Sequence, residues 1–163
     1  MGYTNYFYAP IVMEEEKFKT LAEELQFAYA FAQGTNSSSN NGTNQDKFFS
    51  IHNWEGKGEP EFTSERIAFN GDESKGLDHE TFSINRDNTK RAAAVGSRDG
   101  LVFEFCKTNR KPYDIMVQLS MLRLKHHFPE TKISSDGDSS DWKNARALYK
   151  KIFKENPPRM NND

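Results

Sequence analysis

Cysteine is nearly missing from this chain: Cys106 stands alone in 163 residues. One cysteine excludes an internal disulfide and any cysteine-rich metal site, and it points to a reducing compartment, with the cytoplasm as the expected location. Long apolar runs are missing as well. None approaches the roughly 20 residues of a membrane span, and Met1 to Met13 lacks the basic start and apolar middle of a signal peptide, so no membrane association is expected. The glycosylation-type triplets at Asn36 and Asn41 then carry no meaning. An excess of one charge sign is also absent. Lys and Arg number 22 against 24 Asp and Glu, a net charge of −2, which argues against coating nucleic acid by bulk charge. The four histidines include no pair at zinc-like spacing, so no zinc site is evident, and the chain has no internal repeats.

Aromatic residues are plentiful instead. Thirteen Phe, six Tyr and two Trp outnumber the eight Leu, so packing rests on large flat side chains. A chain of this length suits one domain, which buries roughly 70% of the surface its unfolded form exposes. The expected fold is α+β, with a mostly antiparallel sheet of about five strands and three helices, one of them a crossover. The domain is expected over residues 1–155, with a flexible Asn/Ser-rich insertion at about 34–47 and a disordered tail at 156–163.

The local patterns support that outline. Tyr3 to Ala9 is rich in strand-forming aromatics and stops at Pro10. Phe18, Leu21, Leu25, Ala28 and Ala32 recur at helical spacing until Gly34. Three alternating segments, Glu65 to Asn70, Glu80 to Asn85 and Leu101 to Cys106, most simply form an antiparallel meander. Tyr113 to about His127 is apolar on more than one side and should be the most buried helix. Thr131 to Ser134 is a short strand, and Trp142, Ala145, Tyr149, Ile152 and Phe153 mark a third helix.

The segment LVFEFCKTNRKPYD, Leu101 to Asp114, joins a strand, a cationic loop and a helix start, with Pro112 suited to the first helical position. Lys107, Thr108, Arg110, Lys111 and Tyr113 are therefore candidates for binding phosphate or carboxylate beside the open N–H groups of a helix start. The loop has no glycine, so it is not a Walker loop. If the helix crosses between parallel strands, both following loops emerge at one sheet edge, and the meander brings Asn70, Asp72, His79 and Glu80 to it as well. Four polar signatures, FNGD, HET, CKTNRKPYD and SSDGD, then share one rim.

GYTNYF, FNGD, HETF, FCKTNRKPYD and SSDGD, in this order, resemble the signatures of a family of small phage and bacterial proteins whose N-terminus typically reads GYTHYW. The resemblance implies one compact α+β domain and a phage or prophage origin, and hence a host-cell cytoplasmic location. It brings no established activity. The chain departs from the pattern at Asn5, where the family has His, and at Phe7, where it has Trp.

Each candidate also has a purely structural reading. Asp136 and Asp138 could hold Mg2+ or Mn2+, or serve as turn and helix cap. His79, Glu80 and Asp136 are the candidate catalytic groups, although neighbouring strand residues such as His79 and Glu80 point to opposite faces. Cys106 beside Lys107 is either a nucleophile or a small buried hydrophobe. The expected partner is a small anionic, nucleotide-like ligand held at the rim by Asn70, His79, Lys107, Thr108, Arg110, Lys111, Tyr113 and Asp136, with Tyr6, Tyr8 or Trp54 stacking on a base. A protein partner and a metal-assisted phosphodiester hydrolase are the alternatives.

Overall fold

The computed structural model describes residues 2–38 and 50–160. Strand β1 (Thr4–Pro10) is followed by helix α1 (Glu15–Ser38), which lays Phe18, Leu21, Leu25 and Ala28 into the core. Gly34 does not end this helix. It meets nothing that a side chain would strike, and an interior glycine costs a helix only about 1 kcal/mol. The start of the expected insertion is therefore helical, and residues 39–49 lie outside the described residues.

Strands β2 (Glu61–Phe62), β3 (Arg66–Phe69) and β4 (Phe82–Asn85) form one antiparallel sheet. Strands β5 (Leu101–Lys107) and β6 (Lys132–Ser135) flank β1 in a second sheet, ordered β5-β1-β6. The expected five-stranded sheet is thus two sheets of three strands, and the expected meander breaks after β4. The reason lies in the N-terminal strand: β1 takes β5 as an antiparallel partner along its whole length, from Thr4 opposite Lys107 to Pro10 opposite Leu101. Local patterning cannot announce a pairing that spans about a hundred residues.

Helix α3 (Asp114–His127) joins β5 to β6. Both strands run antiparallel to β1 and so parallel to each other, which makes α3 a crossover as expected. Its residues from Met116 to Leu124 are buried without interruption. Helix α4 (Lys143–Phe153) follows a 3-10 turn and packs on α3 through Ala145, Tyr149 and Ile152. The described residues hold four α-helices rather than three, because Thr89–Val95 forms a short helix, α2. No residue of α2 is buried, so no apolar periodicity marks it. Its Arg91 donates to the Phe103 carbonyl and pairs with Glu104, which covers part of the outer edge of β5.

One core serves both sheets. The Phe7 and Phe82 rings meet at 5.8 Å across the gap, and Phe69 lies 5.2 Å beyond Phe82. The chain after α4 returns to this core: Met160 is buried and Arg146 donates to the Pro158 carbonyl, so residues 156–160 are held where a frayed tail was expected. Residues 161–163 lie outside the described residues.

Candidate functional site

The four polar signatures do meet at one rim, by a route other than a meander. The start of β4 is stitched to the end of β5 through Glu80. Its N–H donates to the Lys107 carbonyl, its carboxylate accepts the Lys107 N–H at 2.7 Å, and its carbonyl accepts the Tyr113 hydroxyl at 2.5 Å. Asn70 holds the next turn. Its amide oxygen accepts from the backbone of Gly71 and His79, and its amide nitrogen donates to the His79 carbonyl. At the other end of the rim, Asp136 accepts the Thr4 N–H and the Tyr6 hydroxyl.

These contacts change what the rim can do. The expected anion seat at the start of α3 is closed, because Asp114, Ile115, Met116 and Val117 all donate their N–H groups to carbonyls of the preceding turn. Thr108 and Asn109 both donate theirs to the Tyr3 carbonyl. Asn109 and Arg110 take left-handed backbone with φ of 53° and 58°, which lets so short a loop fold back on β1. Thr108 is fully buried and donates to the Asp114 carboxylate. Arg110 pairs with Asp141 and lies 4.1 Å over the Tyr3 ring, and Lys111 donates to the Gly76 carbonyl. Of the expected cations, Lys107 has an ammonium without an acceptor among the described residues, and its stem lies against Gly2.

The acid and base candidates fare similarly. His79 has its backbone clamped by Asn70 and its imidazole exposed, with no carboxylate partner among the described residues. Asp138 caps the 3-10 turn before α4, and its bonds to Ser140 hold its carboxyl below the ordinary range. Among the described residues, no group of three or more His, Cys, Asp or Glu side chains converges as metal ligands would. Burial pushes the Cys106 thiol far up, with the Glu80 charge adding to it, which removes the thiolate that a nucleophile needs. Burial also raises Tyr113, next to that thiol.

The residue the sequence undervalued is Asn5. It is fully buried on β1, donates to Asp114, and leaves its amide oxygen without a partner among the described residues. Burial raises the Asp114 carboxyl above its ordinary value, although hydrogen bonds from Thr108 and Asn5 pull the other way. His52 has partners the sequence did not suggest, the Ser50 hydroxyl at 2.8 Å and the Gly58 carbonyl at 2.9 Å.

Two open aromatic features border the rim: Trp54, 64% exposed, whose carbonyl accepts from Asn70 and Thr81, and the outer face of the β5-β1-β6 sheet. In β5 the inward residues are Val102 and Cys106, and Phe103 and Phe105 turn outward. Cross-strand register sets Phe105 beside Tyr6 and Phe103 beside Tyr8, with Lys107 beside Thr4 on the same face. On the far side, Ser134 flanks Tyr6 and Lys132 flanks Tyr8. Ring centroids follow one another at 6.1 Å from Tyr6 to Phe103, 5.1 Å from Tyr8 to Phe103 and 5.9 Å from Phe103 to Phe105. Phe105 is 49% exposed and Tyr8 37%, well beyond what cross-strand pairing needs for its own stability. Comparison with protein-family models, curated proteins and solved structures finds no match for the chain.

Proposed function

We propose that the protein binds a phosphate-bearing, nucleotide-like ligand without acting on it chemically, and that contact is made on the outer sheet face bordering the rim. Four contiguous rings beside an unpaired lysine carry this reading, since a base is a flat π surface attached to an anion. Tyr6 and Tyr8 keep their proposed stacking role and are joined by Phe103 and Phe105. Lys107 remains the phosphate contact. Asn70, Thr108, Arg110, Lys111 and Tyr113 become the frame that holds that end of the sheet, because each is spent on an internal contact. A cytoplasmic location, in the host cell for a phage product, belongs to the same proposal. No helix among the described residues is long and apolar enough to cross a membrane.

The exposure of Phe105 and Tyr8 also favours a second reading, a non-catalytic factor that docks on another protein. The hydrolase reading has less support, since Glu80, Asp136 and Asp138 each bind backbone donors at separate points of the rim.

A thermal-shift and tyrosine-fluorescence titration with nucleotides, cyclic nucleotides and sugar phosphates tests the proposal. Nucleotides should raise the melting temperature and quench emission, and sugar phosphates, which have no base to stack, should do neither. Lys107→Ala should weaken the response. If nucleotides and sugar phosphates are equally inert, the ligand reading is wrong and the protein-partner reading takes its place.

A further inference from the structure

We infer that the ligand of the aromatic face is a single-stranded nucleic acid rather than a free nucleotide, an inference that rests on the function proposed above. The face is a grid of three strands. Its first row runs from Lys107 through Thr4, its second through Phe105, Tyr6 and Ser134, and its third through Phe103, Tyr8 and Lys132. The two cations therefore occupy opposite corners. With strands about 4.8 Å apart and about 3.4 Å of rise per residue, their Cα atoms are separated by roughly 17 Å.

A single nucleotide on this grid can cover one ring and reach one ammonium. A strand crossing the sheet diagonally can set bases on rings in both rows and a phosphate near each lysine. Neither lysine has an ion-pair partner among the described residues, so both charges await an anion. Two carboxylates border the grid: both oxygens of Asp136 already accept hydrogen bonds, from Thr4 and from Tyr6, and a Glu80 oxygen accepts the Lys107 N–H.

The shape of the surface agrees. Sites for a small molecule are concave and enclose most of their ligand, whereas this face is the open side of a sheet. Clefts lined by Ser139, Lys143, Arg146 and Lys150, and by Lys125, His126 and Pro129, belong to other elements. Open sheets that read single strands work by stacking two or three unpaired bases on exposed rings. A duplex, whose base faces already stack on each other, offers nothing to the rings. The net charge of −2 fits as well: affinity must come from stacking and two local cations, and not from a basic coat.

The test is fluorescence anisotropy on the full chain with labelled RNA and DNA strands of about ten nucleotides, a length within the range single-strand sites cover. A matching duplex serves as control, and mononucleotides as competitors. Single strands should bind at least tenfold more tightly than mononucleotides and more tightly than the duplex. A preference for RNA or DNA would name the natural strand. Phe105→Ala and Tyr8→Ala should each weaken binding by roughly 5- to 100-fold. Phe105→Leu, which keeps apolar bulk but has no ring, should behave like Phe105→Ala with an unchanged melting temperature. The slope of log K against log salt should be near −1.4 for two phosphate contacts, and about 0.7 shallower in Lys107→Ala or Lys132→Ala.

Mononucleotides that bind as tightly as strands would overturn this inference and leave the nucleotide reading standing. Strand binding that survives loss of the rings would also overturn it. If strands and mononucleotides are both inert, both readings fall.

Discussion

The Asn5 amide on central strand β1 donates to the Asp114 carboxylate at the start of α3 across 2.6 Å, and the Thr108 hydroxyl donates to the same oxygen at the same distance. Central strand β1 is thus tied to the KPYD segment, 109 residues away. Burial raises the Asp114 carboxyl, so above the ordinary aspartate value of about 3.9 the folded state keeps a proton that the unfolded chain releases. More protons bound in the folded state means that stability falls as pH rises from that value through the raised one. Asp114→Asn keeps an oxygen for Thr108 and Asn5 and cannot ionise. Its urea midpoint, measured against the wild type, should therefore gain as pH is raised from about 4 through the raised Asp114 value and level off above it. A constant difference across that range would show that burial does not perturb Asp114.

Arg123 should behave in the opposite sense. It is buried on α3, donates to Glu24 and Glu155, and also donates to the Tyr149 hydroxyl at 2.8 Å. Burial alone would raise Glu24, but hydrogen bonds from His127 and Arg123 hold its carboxyl below the ordinary range. The stabilisation it supplies is therefore complete above the ordinary glutamate value of about 4.3 and is lost as pH falls through the depressed one. Arg123→Met should cost about 3 kcal/mol near neutral pH, because it leaves the partly buried Glu24 carboxylate with only His127 of its two partners. Adding Glu24→Gln should return part of that loss. Additive effects in the double-mutant cycle would refute the coupling.

Sequence periodicity made β1, α1, α3 and α4 legible because each buries an apolar face in the core. The same rule left the inner side of β5 open: Phe103 and Phe105 point outward, while Val102 and Cys106 face the core. The reason is physical: alternation gives the period of a strand but not its inner side, and register against β1 decides that. The rim was legible through one correct step, the parallel β5 to β6 crossover. Its chemistry was not, because hydrogen bonds such as Glu80 to Lys107 and Arg110 to Asp141 join positions about 30 residues apart.

Cys106 offers a simple check on which side of β5 is inside. The thiol is 1% exposed, and burial keeps it protonated far above neutrality. Reaction with a disulfide reagent at pH 8 should be slow in the native protein, become fast in urea, and track the unfolding transition. Fast native labelling would mean that β5 presents its other face to the core.

Asn70 separates a frame residue from a ligand residue. Its side chain is 3% exposed and spans the turn between β3 and β4, with its oxygen held by two N–H groups and its nitrogen donating to the His79 carbonyl at 3.0 Å and to the Thr81 hydroxyl at 3.3 Å. Removing it strands several buried backbone groups at once, each worth about 1 to 3 kcal/mol. Asn70→Ala should therefore lower stability by about 2 to 4 kcal/mol by urea denaturation, and the protein that remains folded should bind its ligand with unchanged affinity. Lys107→Ala should give the reverse pattern, little change in stability and weaker binding, because its ammonium is exposed. If Asn70→Ala instead abolished binding in a protein that melts normally, Asn70 would be a ligand contact, and the binding surface would have to extend from the sheet face onto the rim.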